Sequence, residues 1–329
     1  MQLEKHIDEL RQWIMSFFAE KQRPLSPNRC CISLSSREIN IILIKKTPAG
    51  VEDSIQVLLS EMLKYDDMES LKLVLTGMIE RYEIEHVPTY WLLTPADYQI
   101  FLIDSLAVES NEFHDALTWR LRSVLPYPTD EATIDYFMLP PRKTTANNPM
   151  IAAVAAKQSQ LKSIIDIFAS LNLNLTAIDI PELALRNLAN MGEKDERSTA
   201  MIYFYEKLAI LNITHKQTLY FTRHINLYLE NETKLKTHEE LCLDILRYFD
   251  YFQSQWRLPS PTRIFVSSQQ MNATEIAEAF SKHLLLSVEP FSLASFVEDS
   301  AKSRSLEKNF LLALGCALRK DEVYAKTGN

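Results

Sequence analysis

Residues 200–222 read AMIYFYEKLAILNITHKQTLYFT, three apolar runs separated by short polar spacers. Aromatic and β-branched side chains dominate these runs, and such residues favour strands. The sequence therefore predicts strands at Ala200–Tyr205, Leu208–Thr214 and Thr218–Thr222. A helix is predicted next, at Glu239–Trp256, because apolar residues there recur at helical spacing.

The same order of elements occurs earlier in the chain. A strand at Thr262–Ser267 completes the later set. The earlier set consists of three strands, a helix and a strand, at Cys31–Ser36, Glu38–Lys45, Ser54–Ser60, Met68–Arg81 and Thr89–Thr94. Three strands, a helix and a fourth strand, occurring twice, predict an α/β fold made of two duplicated lobes.

The pattern also predicts domain boundaries. We expect an N-terminal amphipathic helix and linker at 1–27, a first lobe at 28–195 and a second lobe at 196–329. An inserted subdomain at about 98–158 interrupts the first lobe. The charges of the N-terminal helix nearly cancel, so we expect it to pack on protein and to add little membrane affinity. Two further helices are predicted, at Ala273–His283 and Leu306–Arg319.

The inserted subdomain has its own pattern. A helix is predicted at Asn111–Leu125, with strands at Thr133–Met138 and Ile151–Ala155. One stripe of this helix is apolar and should face inward, namely Phe113, Ala116, Leu117, Leu121 and Val124. Three residues fall outside the stripe and should be exposed, namely Trp119, Arg120 and Arg122.

Composition excludes several classes of function. The formal net charge is −8, which disfavours a nucleic-acid partner, since neutralising phosphates needs a basic face. No apolar run approaches the ~20 residues that span a bilayer, and acidic residues near the N-terminus disfavour a signal peptide, so we expect a cytoplasmic protein. The cysteines lack metal-site spacing and are predicted to be buried, reduced thiols.

Glycine is unusually scarce. The chain has 5 glycines, where average usage would give roughly 23. Backbone wraps a phosphate most easily at glycine, because close approach and positive φ angles cost little there. The glycines are dispersed, which excludes a Walker loop and a GxGxxG turn. No Ser/His/Asp or Cys/His arrangement can be proposed either, so we expect no catalytic residues, no metal and no cofactor.

Several short segments, taken in order, resemble the MshI and PilM family of pilus proteins. One is AIDIPELALRNL at 177–188, which is similar to the helix that joins the lobes in that family. The others are Trp119–Pro126, Ile134–Tyr136, Phe221–Arg223, Asp244–Phe249 and Leu314–Arg319. The resemblance implies an actin-like fold close to the cell-division protein FtsA, and a role in the inner-membrane platform of type IV or MSHA-type pili. A related fold forms the cytoplasmic domain of GspL in type II secretion platforms.

The chain departs from the family members that bind ATP. Those proteins carry Asp-x-Gly in two phosphate loops and paired glycines in an adenosine loop. The corresponding stretches here are ISLSSR at 32–37, IYFYE at 202–206 and VSSQ at 266–269, and Asp244 replaces a ribose-binding glutamate. Glycine is absent from all three, which predicts that the chain does not bind ATP.

Three classes of function remain open at this point. The resemblance implies a non-catalytic scaffold of the pilus platform. The alternative is a nucleotide-regulated actin-like switch of the same machinery or of a type II secretion platform. A kinase-like enzyme is the third class, but phosphoryl transfer requires a phosphate cradle that the sequence lacks.

The resemblance also implies a partner and a site. PilM-like proteins hold the cytoplasmic N-terminus of a single-span inner-membrane protein, PilN, between the core of the first lobe and the insert. We therefore expect a PilN-like partner, contacts with other platform proteins, and peripheral membrane association through that partner, with self-association left open. Trp119, Arg120 and Arg122 are predicted to bind the partner, because Trp and Arg are enriched in binding hot spots.

Overall fold

The computed structural model describes residues 27–35, 37–45, 54–106, 108, 109, 111–143, 149–192, 197–229 and 234–319. Its strands are β1 (Asn28–Ser35), β2 (Glu38–Lys45), β3 (Gln56–Lys64), β4 (Thr89–Leu92), β5 (Tyr98–Asp104), β6 (Ala132–Met138), β7 (Met150–Lys157), β8 (Leu175–Asp179), β9 (Thr199–Tyr205), β10 (Leu208–His215), β11 (Thr218–Asn226), β12 (Arg263–Ser268) and β13 (Ser287–Pro290). Its helices are α1 (Met68–Tyr82), α2 (Phe113–Leu121), α3 (Gln158–Ser170), α4 (Pro181–Gly192), α5 (His238–Trp256), α6 (Ala273–Ser281), α7 (Ser300–Ser305) and α8 (Leu311–Ala317), with a 3₁₀ turn at Thr129–Glu131 and a π-helical turn at Leu306–Phe310.

Two five-stranded sheets share one topology. Their strand orders are β3-β2-β1-β4-β8 and β11-β10-β9-β12-β13. In each sheet the first three strands in sequence pair antiparallel, and the remaining two add in parallel. A helix, α1 or α5, connects the third strand to the fourth. The predicted duplication of two α/β lobes is confirmed.

Local sequence signals fix the two connecting helices. Thr237 caps α5 by accepting from the backbone N–H of Glu240, whose carboxylate accepts from the backbone N–H of Thr237. This capping box satisfies amide groups that a helix start leaves without partners. The α5 residues that recur at helical spacing, including Phe249 and Trp256, are buried in the second lobe. Asp67 and Ser70 cap α1 in the same way.

The inserted subdomain is a three-stranded antiparallel sheet, in the order β5-β7-β6, with α2 on one face. The other face packs on both lobes. Ala152 belongs to the core of the second lobe, and Ala156 belongs to the core of the first. Because side chains alternate along β7, one face of the inserted sheet packs on the lobes and the other packs on α2.

The structure differs from the predicted elements in a few places. The sequence analysis assigned no strand to Tyr98–Asp104 and no helix to Gln158–Ser170, yet both form regular elements. The predicted helix at Leu306–Arg319 is interrupted, because the chain makes a π-helical turn at Leu306–Phe310 before α8 begins. The predicted N-terminal helix lies outside the described residues.

Two helices, α4 and α8, lie between the two sheets. Their buried residues form one core with residues of both sheets, including Ile42 of β2 and Ile210 of β10. The helices approach closely at Gly315, where an added Cβ would lie 2.4 Å from the carbonyl oxygen of Ala184. The Asn187 side-chain amide also donates a 2.8 Å hydrogen bond to the carbonyl of Gly315. Although α8 comes last in the described chain, it packs on β1, β2 and β4 of the first lobe. The domain boundaries themselves stay predictions.

The cysteines are buried, as predicted. Cys30 and Cys31 point to opposite faces of β1, one into the first-lobe core and the other into the core between the sheets. Burial raises the pKa of the Cys30 thiol to about 12 and that of Cys242 to about 11. Neutral thiols of this kind act as small apolar side chains and react slowly.

Candidate partner-binding groove

An open groove with a volume of about 480 Å³ separates the insert from the first lobe. One wall is β8, the end strand of the first sheet, and the other is β6, the end strand of the inserted sheet. Consecutive residues of each strand line the groove, 176–179 of β8 and 135–137 of β6. Consecutive strand residues point to opposite faces, so a groove that touches them all runs along the strand edges. In the described part of the chain, both edges lack a neighbouring strand.

The groove is mainly apolar. Its apolar lining consists of Leu93, Tyr136, Phe137, Val154, Ala156, Leu161, Ile165, Ala177, Ile178, Ile180 and Leu183. Thr133, Asp135 and Thr176 add polar groups. Apolar clefts with a few directed polar groups are typical of binding sites. Unpaired strand edges add backbone donors and acceptors that an extended peptide can pair with.

An ion pair connects the groove to the end of α8, the last helix that the structure describes. Arg319, which follows α8, donates from Nη1 to Oδ2 of Asp179 across 2.9 Å, and both residues line the groove. Asp179 is buried, whereas Asp135 is exposed. The charged lining therefore comprises two carboxylates and one guanidinium, which favours a ligand that carries a positive charge in or beside the groove.

The predicted inward stripe of α2 is confirmed for Phe113, Leu117 and Leu121, which are buried. Ala116 is half-buried. Val124 is 53% exposed, so its predicted burial is wrong. The reason is that α2 ends at Leu121, and the following turn no longer keeps Val124 on the stripe.

Trp119, Arg120 and Arg122 are exposed, as predicted, but the structure does not bring them to the groove. The helix α2 covers the face of the inserted sheet that carries Ala153 and Ala155. The groove touches the opposite face of β7, through residues 154 and 156. A partner peptide in the groove would thus lie across the sheet from these three residues. Their role in binding a partner stays a prediction.

The three segments compared with nucleotide loops do converge between the lobes. Ser33, Tyr203, Tyr205 and Gln269 line one small cavity there, together with Asn309 of the π-helical turn. The cavity has a volume of about 40 Å³. Burial raises the pKa of both phenols, that of Tyr205 to about 12, so both hydroxyls stay neutral. Both tyrosines line this cavity and belong to the second of the three segments, in which the resemblance had implied a carboxylate and a glycine.

We expect that Mg-ATP does not bind this chain. Sites for ligands of that size usually enclose about 300–1,000 Å³, far more than the 40 Å³ cavity where the three segments meet. A neighbouring cavity of about 500 Å³ shares Leu34, Thr94 and Tyr205 with it. The charged lining of this larger cavity consists of Asp97 and Glu206, which repel phosphate. The check is calorimetry and thermal unfolding with and without millimolar Mg-ATP, with an ATP-binding actin-like protein as the positive control. A melting temperature that rises with nucleotide concentration, as mass action requires of a ligand, would contradict this expectation.

A buried carboxylate joins the insert, α4 and the second lobe. The Tyr98 hydroxyl of β5 donates to Oε2 of Glu182 across 2.6 Å. Nε2 of His224, on β11, lies 2.6 Å from Oε1 of the same carboxylate. Asn212 of β10 donates to the backbone carbonyl of Glu182 across 2.7 Å. Burial, and then the Glu182 charge, raise the pKa of Tyr98 well above its usual value, so its hydroxyl stays protonated and donates.

The sequence analysis named neither this junction nor the groove residues. Glu182 does stand in the segment that resembles the lobe-joining helix. Its partners lie 84 and 42 residues away, so no local pattern pairs them. Among the residues that the structure describes, no group of three His, Cys, Asp or Glu side chains is placed to hold a metal. Nor is any described helix long and apolar enough to cross a membrane.

No protein-family model matches the sequence, and no curated protein is significantly similar to it. The structure is similar to a solved chain of a PilM–PilN type IV pilus biogenesis complex, with a TM-score of 0.66 and 13% sequence identity over 88% of this chain and 98% of that chain. It is also similar to a protein of actin-like ATPase fold and unknown function from Bacteroides thetaiotaomicron, with a TM-score of 0.52 and 9% identity over 92% of this chain and 98% of that one.

These likenesses establish the fold. The chain has an actin-like fold of two lobes with an inserted subdomain, as the resemblance of its short segments implied. Within that fold, its structure is PilM-like along nearly the whole length of the compared chain.

Proposed function

We propose that the chain is a non-catalytic scaffold of an inner-membrane pilus platform, of type IV or MSHA type. In this proposal it binds the cytoplasmic N-terminal peptide of a single-span, PilN-like membrane protein, and so stays on the cytoplasmic face of the membrane beside other platform proteins. The groove between β6 and β8 carries the proposal. The likeness to a chain of a PilM–PilN complex supports it.

The geometry of the groove suits an extended peptide. Backbone groups at the free edges of β6 and β8 can pair with a peptide in the manner of an added strand, which supplies affinity largely independent of its sequence. Alternate side chains of the peptide would then face the apolar lining, where half-buried residues such as Phe137 and Ile178 would become more fully buried. Asp135 would select peptides with a basic residue or a free amino group nearby.

The alternative, a nucleotide-regulated switch of the same machinery or of a type II secretion platform, requires a cleft that admits nucleotide. The 40 Å³ cavity at Tyr203 weighs against it, and the larger cavity beside Tyr205 is lined by Asp97 and Glu206 and by no described Lys or Arg that could hold phosphate. The small volume of the cavity at Tyr203 also supports the part of the proposal that the chain is not an ATPase.

The test is peptide affinity by fluorescence anisotropy, with N-terminal cytoplasmic peptides of single-span inner-membrane proteins as probes. Thr176→Arg fills the groove with a long cation, and Asp135→Lys reverses its exposed charge. Each change at such a position should weaken binding by about 30-fold or more. Both residues are at least partly exposed, so the fold should persist.

Lys234→Glu on the second lobe is the matched control and should not change affinity by more than about twofold. Trp119→Ala tests the separate prediction that Trp119, Arg120 and Arg122 bind the partner: a loss of affinity in this variant, while Thr176→Arg and Asp135→Lys bind normally, would place the peptide on the outer face of the insert. Binding that Thr176→Arg and Asp135→Lys both leave intact would remove the groove from the proposal.

A further inference from the structure

The outer face of α2 presents an exposed tryptophan beside an apolar hollow. Trp119 is 74% exposed. The hollow next to it has a volume of about 430 Å³, and Leu106, Val108 and Ala116 line it together with Trp119 itself. A large aromatic side chain and a space that could receive one therefore lie side by side on a single surface.

A stripe of alternating charge runs through this tryptophan. Asp115, Trp119 and Arg122 are spaced i, i+4 and i+7, so they lie on one side of the helix. All three are exposed, and neither charged residue forms an ion pair with another described residue. Two helical turns, about 10.5 Å of rise, separate Asp115 from Arg122. The two charges are too far apart to satisfy one another within one chain.

Such a stripe is complementary to itself when it is reversed. Read in one direction it presents an acid, an aromatic ring and a base. A second α2 running antiparallel presents a base, an aromatic ring and an acid. A two-fold axis near Trp119 therefore sets each Asp115 opposite an Arg122 and brings the two indole rings together. Self-complementarity of one patch is what a two-fold symmetric interface requires.

We propose that α2 pairs antiparallel with α2 of a second copy of this chain. Helices pack at 8–10 Å between axes, a distance at which an indole ring of one helix contacts the surface beside the other. Trp119 of each copy thus covers the hollow beside Ala116 of the other. A contact formed by α2 and the hollow beside it is smaller than a standard interface. The dimer is therefore weak in dilute solution and forms when copies are concentrated, as on a membrane platform.

Sedimentation equilibrium over a concentration series measures the dimer. Trp119→Ala should raise its dissociation constant by about 30-fold or more. Asp115→Arg and Arg122→Asp each set like charges against one another twice, and each should weaken the dimer by about tenfold. The double variant Asp115→Arg with Arg122→Asp restores the stripe in reverse order, so it should recover wild-type dimerisation. Lys72→Asp, an exposed change on α1, serves as the control.

Three results would overturn the proposal: a wild-type chain that stays monomeric throughout the series, single charge reversals without effect, or a double variant as weak as the singles. Loss of groove-peptide binding in Trp119→Ala with dimerisation intact would assign this face to the membrane partner instead. The groove experiment and this one are independent, because the two surfaces lie on opposite faces of the inserted sheet.

Discussion

Replacing Gly315 by alanine should lower the free energy of unfolding by about 3 kcal/mol or more, at the upper end of what overpacking costs. The new Cβ would lie 2.4 Å from the carbonyl oxygen of Ala184 and 2.9 Å from Cγ of Leu188. The oxygen belongs to the backbone of α4, so no side-chain rotation removes the clash. The two helices must move apart, and that movement opens the core between the sheets. Urea unfolding of the variant and the wild type measures the loss.

Gly77→Ala is the matched control, since an added Cβ at this position in α1 meets nothing within 4 Å. Alanine in a helix interior is favoured over glycine by about 0.5–1 kcal/mol. The control should therefore stabilise the protein slightly. If Gly315→Ala proved as harmless as Gly77→Ala, the close crossing of α4 and α8 would be wrong.

Replacing Glu182 by alanine should cost about 3–5 kcal/mol, the range for removing one partner of a buried charged network. The change leaves the Tyr98 hydroxyl and the His224 ring without the acceptor that both contact at 2.6 Å. The buried Tyr98 hydroxyl then keeps its desolvation penalty without a partner, whereas the partly exposed His224 ring can turn to water. The loss should appear in urea unfolding and as faster amide exchange in β5 and β11, which the carboxylate connects.

Two comparisons isolate the role of the carboxylate. Tyr98→Phe removes one hydrogen bond to a charged group and should cost about 1.5–3 kcal/mol. Glu80→Ala, on the exposed face of α1, should change stability by less than about 0.5 kcal/mol. If Glu80→Ala and Glu182→Ala lowered the free energy of unfolding equally, the proposed contribution of the Glu182 hydrogen bonds to stability would be wrong.

The lobes could be predicted from sequence because their signals are local. Each strand of residues 200–222 has its own apolar run, and each connecting helix has its own cap and stripe. The exposure of Trp119 follows from the same reasoning, since a helical stripe decides which side faces outward. The burial of Val124 could not be judged in this way, because it depended on where α2 ends, and helix boundaries are the weakest part of such predictions.

The groove could not be predicted as a set of residues. Its walls come from β6, β8 and α3, and one of its charges comes from Arg319, 140 residues after the Asp179 to which it is bonded. Asp135 and Thr176 line the same groove because the edge of one sheet docks near the edge of another. The sequence carries that information only through the whole fold. The resemblance to PilM implied a site between the first lobe and the insert, and the residues of the proposed groove come from the structure.

Because α8 packs on the first lobe but comes late in the chain, the first lobe is completed late in translation. A chain emerges from the ribosome N-terminal end first, at about 5–20 residues per second. The strands β1 and β2 are thus made roughly 15–60 s before the helix that covers their inner face. During translation that face stays uncovered until α8 has been made, and Asp179 lacks its partner Arg319 for the same time. The first lobe is therefore completed only after the second lobe has been synthesised, and the groove has all of its lining residues only once Arg319 has been made.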